Sequence, residues 1–108
     1  MAGVLTSSLT ESEYISKDII LKWNSIVPVI ERTTKLKDVT IDIKDANLYI
    51  HNLEGLLRDK FNINKEFVYP TIRINGYDCS EQYDGRALSF KLIDPYTLEK
   101  YYRIIKRN

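Results

Sequence analysis

An apolar stripe in the first quarter of the chain is the strongest constraint on its fold. Its large side chains recur at helical spacing as Ile15, Ile19, Trp23 and Ile26. Positions i, i+4, i+8 and i+11 share one helix face, so the spacing predicts an amphipathic helix from about residue 11 to residue 26. Two Ser/Thr-x-x-Glu pairs precede it, Ser8 with Glu11 and Thr10 with Glu13, and such pairs are typical of helix starts.

The chain after this helix is predicted to form a strand and then a second helix. Pro28 lacks the amide hydrogen that would continue the first helix, so residues 29–37 are expected to form an extended connector or a short edge strand. Alternation predicts a strand with one buried face, formed by Val39, Ile41 and Ile43. The second helix is expected to start with Asp45 or Asn47 as its cap. Its apolar stripe consists of Leu48, Leu53, Leu56, Leu57 and Phe61.

Two further segments alternate apolar and polar residues and are interpreted as strands. In residues 67–76, Pro70 disfavours both a helix interior and a central strand, so we predict an edge strand that ends in the turn dipeptide Asn75-Gly76. Residues 88–93 alternate in the same way. The C-terminal residues fit either a helix capped by Asp94 or a strand. We favour a strand over residues 98–105, paired with residues 88–93 in an antiparallel hairpin.

These elements predict one α+β domain. With 108 residues and a mass of 12.7 kDa, the chain is too short for two separate cores. The expected architecture is an N-terminal amphipathic helix followed by a small antiparallel β-sheet core with one further helix. We assign residues 1–37 to an N-terminal arm, helix and connector, and residues 38–108 to the small α+β core domain.

The reactive side chains argue against enzyme activity. The chain has one histidine, His51, and one cysteine, Cys79, which is too few for a disulfide or for a typical His- and Cys-rich metal site. Cys79 lies among acidic residues rather than beside the cationic groups that activate a nucleophilic thiol. The acidic stretch 78–84 lacks the central glycine and closing glutamate of a calcium loop, and glycine-rich phosphate loops are missing from the sequence. We predict a non-enzymatic protein without a cofactor, metal or small-molecule substrate.

Membrane insertion and secretion are not predicted. The longest apolar run, residues 19–21, falls far short of the ~20 residues that span a bilayer. The first nine residues lack the basic and apolar regions of a secretory signal, and a lone thiol fits a reducing compartment. We therefore expect synthesis in the cytoplasm.

The C-terminal residues suggest an alternative function in nucleic-acid binding. They combine cations with aromatic rings, the groups that contact phosphates and stack on bases. These residues are Lys100, Tyr101, Tyr102, Arg103, Lys106 and Arg107. In the favoured strand the cations divide between two faces, and a formal net charge of +1 gives the whole chain little attraction for polyanions. A strand that faces another protein is therefore preferred, and nucleic acid remains the alternative partner.

The order of segments over residues 39–94 resembles that of a known family. A strand and a helix precede Asn75-Gly76, and the stretch Tyr-Asp-Gly-Arg-Ala-Leu at residues 83–88 enters the next strand. This order is similar to LysM-like domains, which also occur in tail and baseplate proteins of bacteriophages and related contractile injection machines. In that family a helix and a second helical segment ending in Asn follow the first strand, and Tyr-x-Gly-x-x-Leu enters the closing strand. Here Lys-Asp-Ala-Asn at residues 44–47 replaces the family's Gly-Asp-Thr-Leu, and Pro70 lies in the second helical segment, so the resemblance implies a scaffold rather than a glycan-binding module.

The predicted function is that of a structural or adaptor subunit in a larger protein assembly, such as a phage virion tail, baseplate or neck. A chain of this size buries only about 65% of its unfolded surface, and surplus apolar surface favours contact with other protein subunits. The predicted partner-binding residues are Ile15, Ile19, Trp23, Ile26, Tyr101 and Arg103. We expect the protein to be made in the host cytoplasm and carried in the virion.

Overall fold

The computed structural model describes residues 17–107. Its main elements are α1 (Lys17–Thr33), β1 (Lys37–Thr40), α2 (Ile43–Leu48), α3 (Leu53–Phe61), α4 (Val68–Ile74), β2 (Ser89–Leu92) and α5 (Pro95–Arg107). Short 3-10 turns at Lys65–Phe67 and Ser80–Gln82 lie before α4 and between α4 and β2. The predicted α+β class, with a helix ahead of an antiparallel sheet, is confirmed, although four helices rather than one accompany the sheet after α1.

Helix α1 extends beyond the predicted end of the first helix. Pro28 lies inside it with its ring exposed, and the helix continues to Thr33. The predicted stop at Pro28 is therefore wrong, as is the extended connector over residues 29–33. Trp23, Val27 and Ile30 are buried on both sides of the proline, and their burial outweighs the roughly 3 kcal/mol that proline costs in a helix interior. The predicted helix start lies outside the described residues.

The predicted second helix is two helices, α2 and α3. The Asp42 carboxylate accepts the Asp45 backbone N–H at 3.0 Å and caps α2. Asn52 caps α3 in the same way, through a 3.0 Å bond from a backbone N–H in the first turn. Between them, His51 has a φ of 63°, which interrupts the helix. The predicted start at Asp45 or Asn47 is wrong because Asp42 already supplies the cap.

Residues 68–74 form helix α4 and not the predicted edge strand. The buried residues of α4 are Val68, Pro70, Thr71, Ile72 and Ile74. A helix buried on opposite sides is apolar around most of its circumference, so its sequence lacks the helical period. Pro70 is the third helical residue, where the backbone amide would have no acceptor within the helix. Proline is therefore compatible with this helix.

Strands β1 and β2 form a two-stranded antiparallel sheet in which Val39 lies opposite Phe90. Phe90 is buried and Val39 is half-buried, as the alternation predicts. The predicted strand at residues 88–93 is confirmed over residues 89–92, but its partner is β1 and not the C-terminal segment. Strand β1 is shorter than predicted, since Ile43 already belongs to α2.

The C-terminal segment is helix α5, so the predicted strand and hairpin are wrong. The Asp94 carboxylate accepts the Thr97 backbone N–H at 3.1 Å and caps the helix. Leu98 and Ile105 are buried, and two half-buried tyrosines between them complete one helical stripe. Burial of this stripe against α1 and α4 overrides the high strand propensity of tyrosine and isoleucine.

Helix α4 lies between two apolar clusters. The first joins α1, α4 and α5 and contains Trp23, Val27, Ile30, Phe67, Ile74, Ile93, Leu98 and Ile105. The second joins α2, α3, α4 and the sheet and contains Ala46, Leu53, Leu56, Leu57, Val68, Ile72, Tyr83 and Phe90. Helix α1 thus packs on the remainder of the domain, and the predicted division after residue 37 falls at the first residue of β1. Within residues 17–107, every helix is too short or too polar to cross a bilayer.

Candidate functional site

The two outer edges of the sheet differ in their hydrogen bonding. In an antiparallel ladder, residue pairs that exchange backbone hydrogen bonds alternate with pairs whose backbone groups point away from the partner strand. Ile41 donates its N–H to the Leu88 C=O at 2.9 Å, which makes these two residues a bonded pair. Asp38 pairs with Lys91 three positions along the ladder from this bonded pair, so Asp38 and Lys91 exchange no backbone hydrogen bonds with each other. The backbone groups of Asp38, Thr40 and Lys91 therefore point toward the outer edges.

Asn75 closes the outer edge of β2. Its Oδ1 accepts the Lys91 backbone N–H at 2.7 Å, and its Nδ2 donates to the Lys91 C=O at 2.9 Å. The same Nδ2 donates to the Thr71 C=O in α4 at 2.8 Å. The side-chain amide thus takes the place of a neighbouring strand. The predicted turn at Asn75-Gly76 is confirmed by a φ of 90° at Gly76, but the sequence contains no local signal for the bonds to Lys91.

Among residues 17–107, no strand or side chain covers the outer edge of β1. Asp38 and Thr40 are exposed, and within residues 17–107 their outward N–H and C=O groups have no hydrogen-bond partner. The Asp38 carboxylate lies 2.9 Å from Lys91 Nζ across the sheet, which draws this side chain toward β2. An exposed edge with unpaired backbone groups is able to accept an additional strand.

An apolar groove of about 630 Å³ begins where β1 begins. Half-buried Leu36, Phe61 and Ile63 provide much of its apolar surface, and Lys35 and Lys37 contribute ammonium groups. Lys37 is also the first residue of β1, so the groove lies at the end of the sheet where this strand begins. We call residues 35–40 together with Phe61 and Ile63 the β1 surface.

The predicted partner-binding residues of α1 pack against the core of their own chain. Trp23 is fully enclosed, and its ring lies parallel to that of Tyr102 at a centroid distance of 6.4 Å. Ile19 and Ile26 are half-buried against the same cluster. Among the described residues, Trp23 Nε1 is buried without an acceptor. This face of α1 packs against the core of the same chain, with Ile19 and Ile26 at its margin. Ile15 lies outside the described residues.

The other two predicted contact residues occupy different sides of α5. Tyr101 is half-buried against the cluster that joins α1, α4 and α5. Arg103 is exposed, and its Nε lies 3.3 Å from a Glu99 carboxylate oxygen. The structure does not bring Arg103 together with the α1 residues. The six predicted residues therefore do not form one site.

His51 forms two hydrogen-bond contacts with the loop that precedes β2. Its backbone N–H donates to the Tyr83 C=O at 2.7 Å, and its Nδ1 lies 2.9 Å from the Glu81 carbonyl oxygen. Cys79 lies exposed in the same loop. Across the described part of the chain, His, Cys, Asp and Glu side chains form no group of three that is able to hold a metal ion.

Tyr83 is the buried centre of this loop. Its hydroxyl donates to the Ala87 C=O at 2.6 Å, and its ring packs against Tyr77 and Phe90. Burial raises the pKa of Tyr83, with smaller contributions from Tyr77 and Asp84, and burial also raises the pKa of Tyr77. The Tyr83 phenol is therefore a neutral structural donor at physiological pH.

Comparisons with protein-family models, with curated proteins and with solved structures find no match to this chain. The β1 surface combines unpaired backbone groups with an adjacent apolar groove, and these are the two requirements for binding an extended segment of another protein.

Proposed function

We propose that the chain is a non-enzymatic structural or adaptor subunit of a larger protein assembly and that it binds a neighbouring subunit through the β1 surface. The difference between the two sheet edges carries this proposal. Asn75 closes β2, whereas in the described part of the chain the outward backbone groups of Asp38 and Thr40 leave β1 open. The partner is another protein subunit that supplies an extended segment.

The partner segment adds to the sheet as a third strand beside β1. Asp38 and Thr40 each offer one N–H and one C=O, so a full pairing forms four backbone hydrogen bonds. Each bond contributes a net free energy of about 1 kcal/mol, since both partners leave water to form it. The backbone pairing therefore contributes about 4 kcal/mol to the affinity and also determines strand direction and register.

The groove next to β1 adds to this affinity and selects the side chain of the partner strand. An apolar side chain of the partner strand that enters the groove gains about 1.5 to 3 kcal/mol from burial. Lys35 and Lys37 border the groove and favour a carboxylate next to that side chain. Asp94 also lines the groove, but its carboxylate already accepts the Thr97 N–H that caps α5. The preferred partner segment is thus an extended strand with alternating apolar and acidic residues.

The kind of assembly is proposed from the resemblance to LysM-like domains of phage tails and baseplates. Strand β1 leads to α2 and α3, α4 ends at Asn75, and residues 83–88 lead into β2. Pro70 lies in the first turn of α4 and does not interrupt the second helical segment. The proposal accordingly extends to a subunit of a virion tail, baseplate or neck that is made in the host cytoplasm.

The surroundings of the reactive side chains support a non-enzymatic role. His51 Nδ1 and the Tyr83 hydroxyl both bond to backbone carbonyl oxygens rather than to a second reactive side chain. We expect His51→Ala and Cys79→Ser to lower stability at most and to leave assembly intact. Loss of biological function in either variant, with an unchanged free energy of unfolding, would contradict the non-enzymatic assignment.

Site-specific photo-crosslinking in cells that make the whole assembly tests the position of the partner. A photoreactive phenylalanine replaces Thr40 on the open edge or, as the matched control, Arg86, whose side chain is 90% exposed in the loop before β2. We expect one discrete crosslinked product from position 40 and none from position 86. Identical products from both positions, or none from position 40, would contradict a partner at the β1 surface.

A further inference from the structure

Helix α5 presents a basic stripe to solvent. Tyr96, Lys100, Arg103 and Arg107 are exposed and follow one another at intervals of three or four residues, which places them along one helix face. The Tyr96 ring is 77% exposed. Leu98 and Ile105 lie on the opposite side, where they are buried in the core. We call these four exposed residues the α5 stripe.

Positive charge on α5 is concentrated relative to the rest of the chain. The helix contains four cations and one acid, Glu99, which give it a formal net charge of +3, whereas the whole chain carries +1. Glu99 pairs with Arg103 alone, at 3.3 Å. A shallow groove of about 280 Å³ runs along the stripe and is bordered by all four of its residues, with Glu99 and Ile104. The stripe is therefore a local site for an anion on a nearly neutral protein.

The helical conformation creates this site. In a strand, residues 100 to 107 would divide their cations between two faces. In the helix, Lys100, Arg103 and Arg107 share a face about 16 Å long with Tyr96 at its start. The spacing of the positive charges matches an extended polyanion better than a single carboxylate or phosphate.

We infer that the α5 stripe binds single-stranded nucleic acid, with Lys100, Arg103 and Arg107 contacting consecutive phosphates and Tyr96 stacking on a base. A helix face that docks on protein needs several apolar anchors at helical spacing, and the cores of protein interfaces are depleted of charge. This face has Ile104, 42% exposed, beside the stripe as its one large aliphatic side chain. An exposed tyrosine flanked by cations suits unpaired bases, whose ring faces are accessible.

This inference is independent of the β1 surface, because the two sites share no residue. A subunit with both sites would bind a neighbouring protein along its sheet and a nucleic-acid strand along α5.

Fluorescence anisotropy with the full chain tests the inference. The probes are labelled single-stranded DNA, single-stranded RNA and duplex DNA, each at about 50 and 200 mM salt. Three phosphate contacts predict a slope of log affinity against log salt of about −2 for single strands, which is a loss of about twentyfold over this range. We expect tighter binding to single strands than to the duplex.

Two charge-matched triple variants separate the α5 stripe from nonspecific attraction. Replacing Lys100, Arg103 and Arg107 with Gln should weaken single-strand binding at least tenfold and remove most of the salt dependence. The control replaces Lys44, Arg58 and Arg86 with Gln, the same number of lysines and arginines, on α2, α3 and the loop before β2. It should change affinity less than about threefold. Equal losses in both variants, or no binding by the unaltered chain at low salt, would overturn the inference.

The tyrosine distinguishes nucleic acid from an acidic protein. Tyr96→Ala should weaken single-strand binding at least fivefold, whereas Tyr96→Phe, which keeps the ring, should bind like the unaltered chain. Circular dichroism confirms that each variant is folded. If polyglutamate binds as tightly as single-stranded DNA and Tyr96→Ala has no effect, the ligand is an acidic protein and the inference is wrong.

Discussion

The side-chain amide of Asn75 pairs with the backbone of Lys91 as a neighbouring strand would, accepting its N–H at 2.7 Å and donating to its C=O at 2.9 Å. This pairing has two consequences. It attaches the sheet to the end of α4, and it leaves the edge of β1 as the side of the sheet where a further strand can pair. The proposed role of the chain as a subunit depends on this asymmetry.

Asn75→Ala should lower the free energy of unfolding by about 1 to 3 kcal/mol, because the backbone of Lys91 and the Thr71 carbonyl lose their partner. Asn64→Ala is the matched control, since Asn64 is exposed and its side chain forms no capping bond. The control should change stability by less than about 0.5 kcal/mol. Urea denaturation measures both, and equal effects would show that the Asn75 bonds do not stabilise the sheet.

Trp23→Ala should destabilise the fold by about 3 to 5 kcal/mol, because it empties the centre of the cluster that joins α1, α4 and α5. Leu21→Ala, on the same helix but 62% exposed, should change stability by less than about 0.5 kcal/mol. Thermal unfolding followed by circular dichroism separates the two. A small effect of Trp23→Ala would mean that α1 does not pack on the domain in solution.

Gly85→Ala should destabilise the loop before β2 more than Gly76→Ala destabilises its turn. Both glycines have a positive φ, 84° and 90°, which costs a Cβ-bearing residue about 1 to 2 kcal/mol. An added Cβ at Gly85 would also lie 2.8 Å from Ile50 Cγ1, whereas nothing lies within 4 Å at Gly76. Adding Ile50→Ala should recover the excess loss at Gly85. Equal losses at the two glycines, unaffected by Ile50→Ala, would contradict the steric explanation.

Stability should fall as the pH rises above about 10, the ordinary pKa of tyrosine. Burial raises the pKa of Tyr83 and of Tyr77 in the folded state. Above pH ~10 the unfolded chain therefore binds fewer protons than the folded chain, and the free energy of unfolding decreases with pH. Below that pH the two tyrosines are protonated in both the folded and the unfolded chain, so their ionisation does not lower the free energy of unfolding.

Urea denaturation between about pH 8 and pH 11 checks this dependence. Tyr83→Phe should make the decline shallower, although it also removes the bond to the Ala87 carbonyl and lowers stability at neutral pH. A Tyr83→Phe slope identical to that of the unaltered chain would show that Tyr83 is not the titrating group.

Sequence patterns predicted the elements that are amphipathic in isolation. The stripe of α1 and the alternation at residues 89–92 each describe an element with one buried face, and the structure contains both. The sequence did not predict helix α4, because this helix is buried on opposite sides and its apolar residues therefore show no helical period. In α5 the strand propensity of Tyr101 and Ile104 obscured a helix that Asp94 caps.

The candidate sites were less accessible to sequence analysis than the fold. The open edge of β1 depends on which strand pairs with β2, and the closed edge depends on a bond from Asn75 to a residue 16 positions away. Neither relationship leaves a local pattern. The α5 stripe was hidden by the predicted strand, which divided the same cations between two faces. Once the segment is a helix, Arg103 and its neighbours occupy one face.

Incorporation of Thr40 variants into the native assembly tests the central claim most directly. Thr40→Pro removes the outward N–H of β1 without removing a hydrogen bond to β2, whereas Thr40→Val keeps that N–H and has a similar shape. The measurement is the fraction of the chain that co-sediments with the assembly, in cells that make every subunit. If both variants are folded, we expect Thr40→Val to sediment like the unaltered chain and Thr40→Pro to remain largely unassembled. Equal incorporation of the two variants would contradict a docking role for the edge of β1.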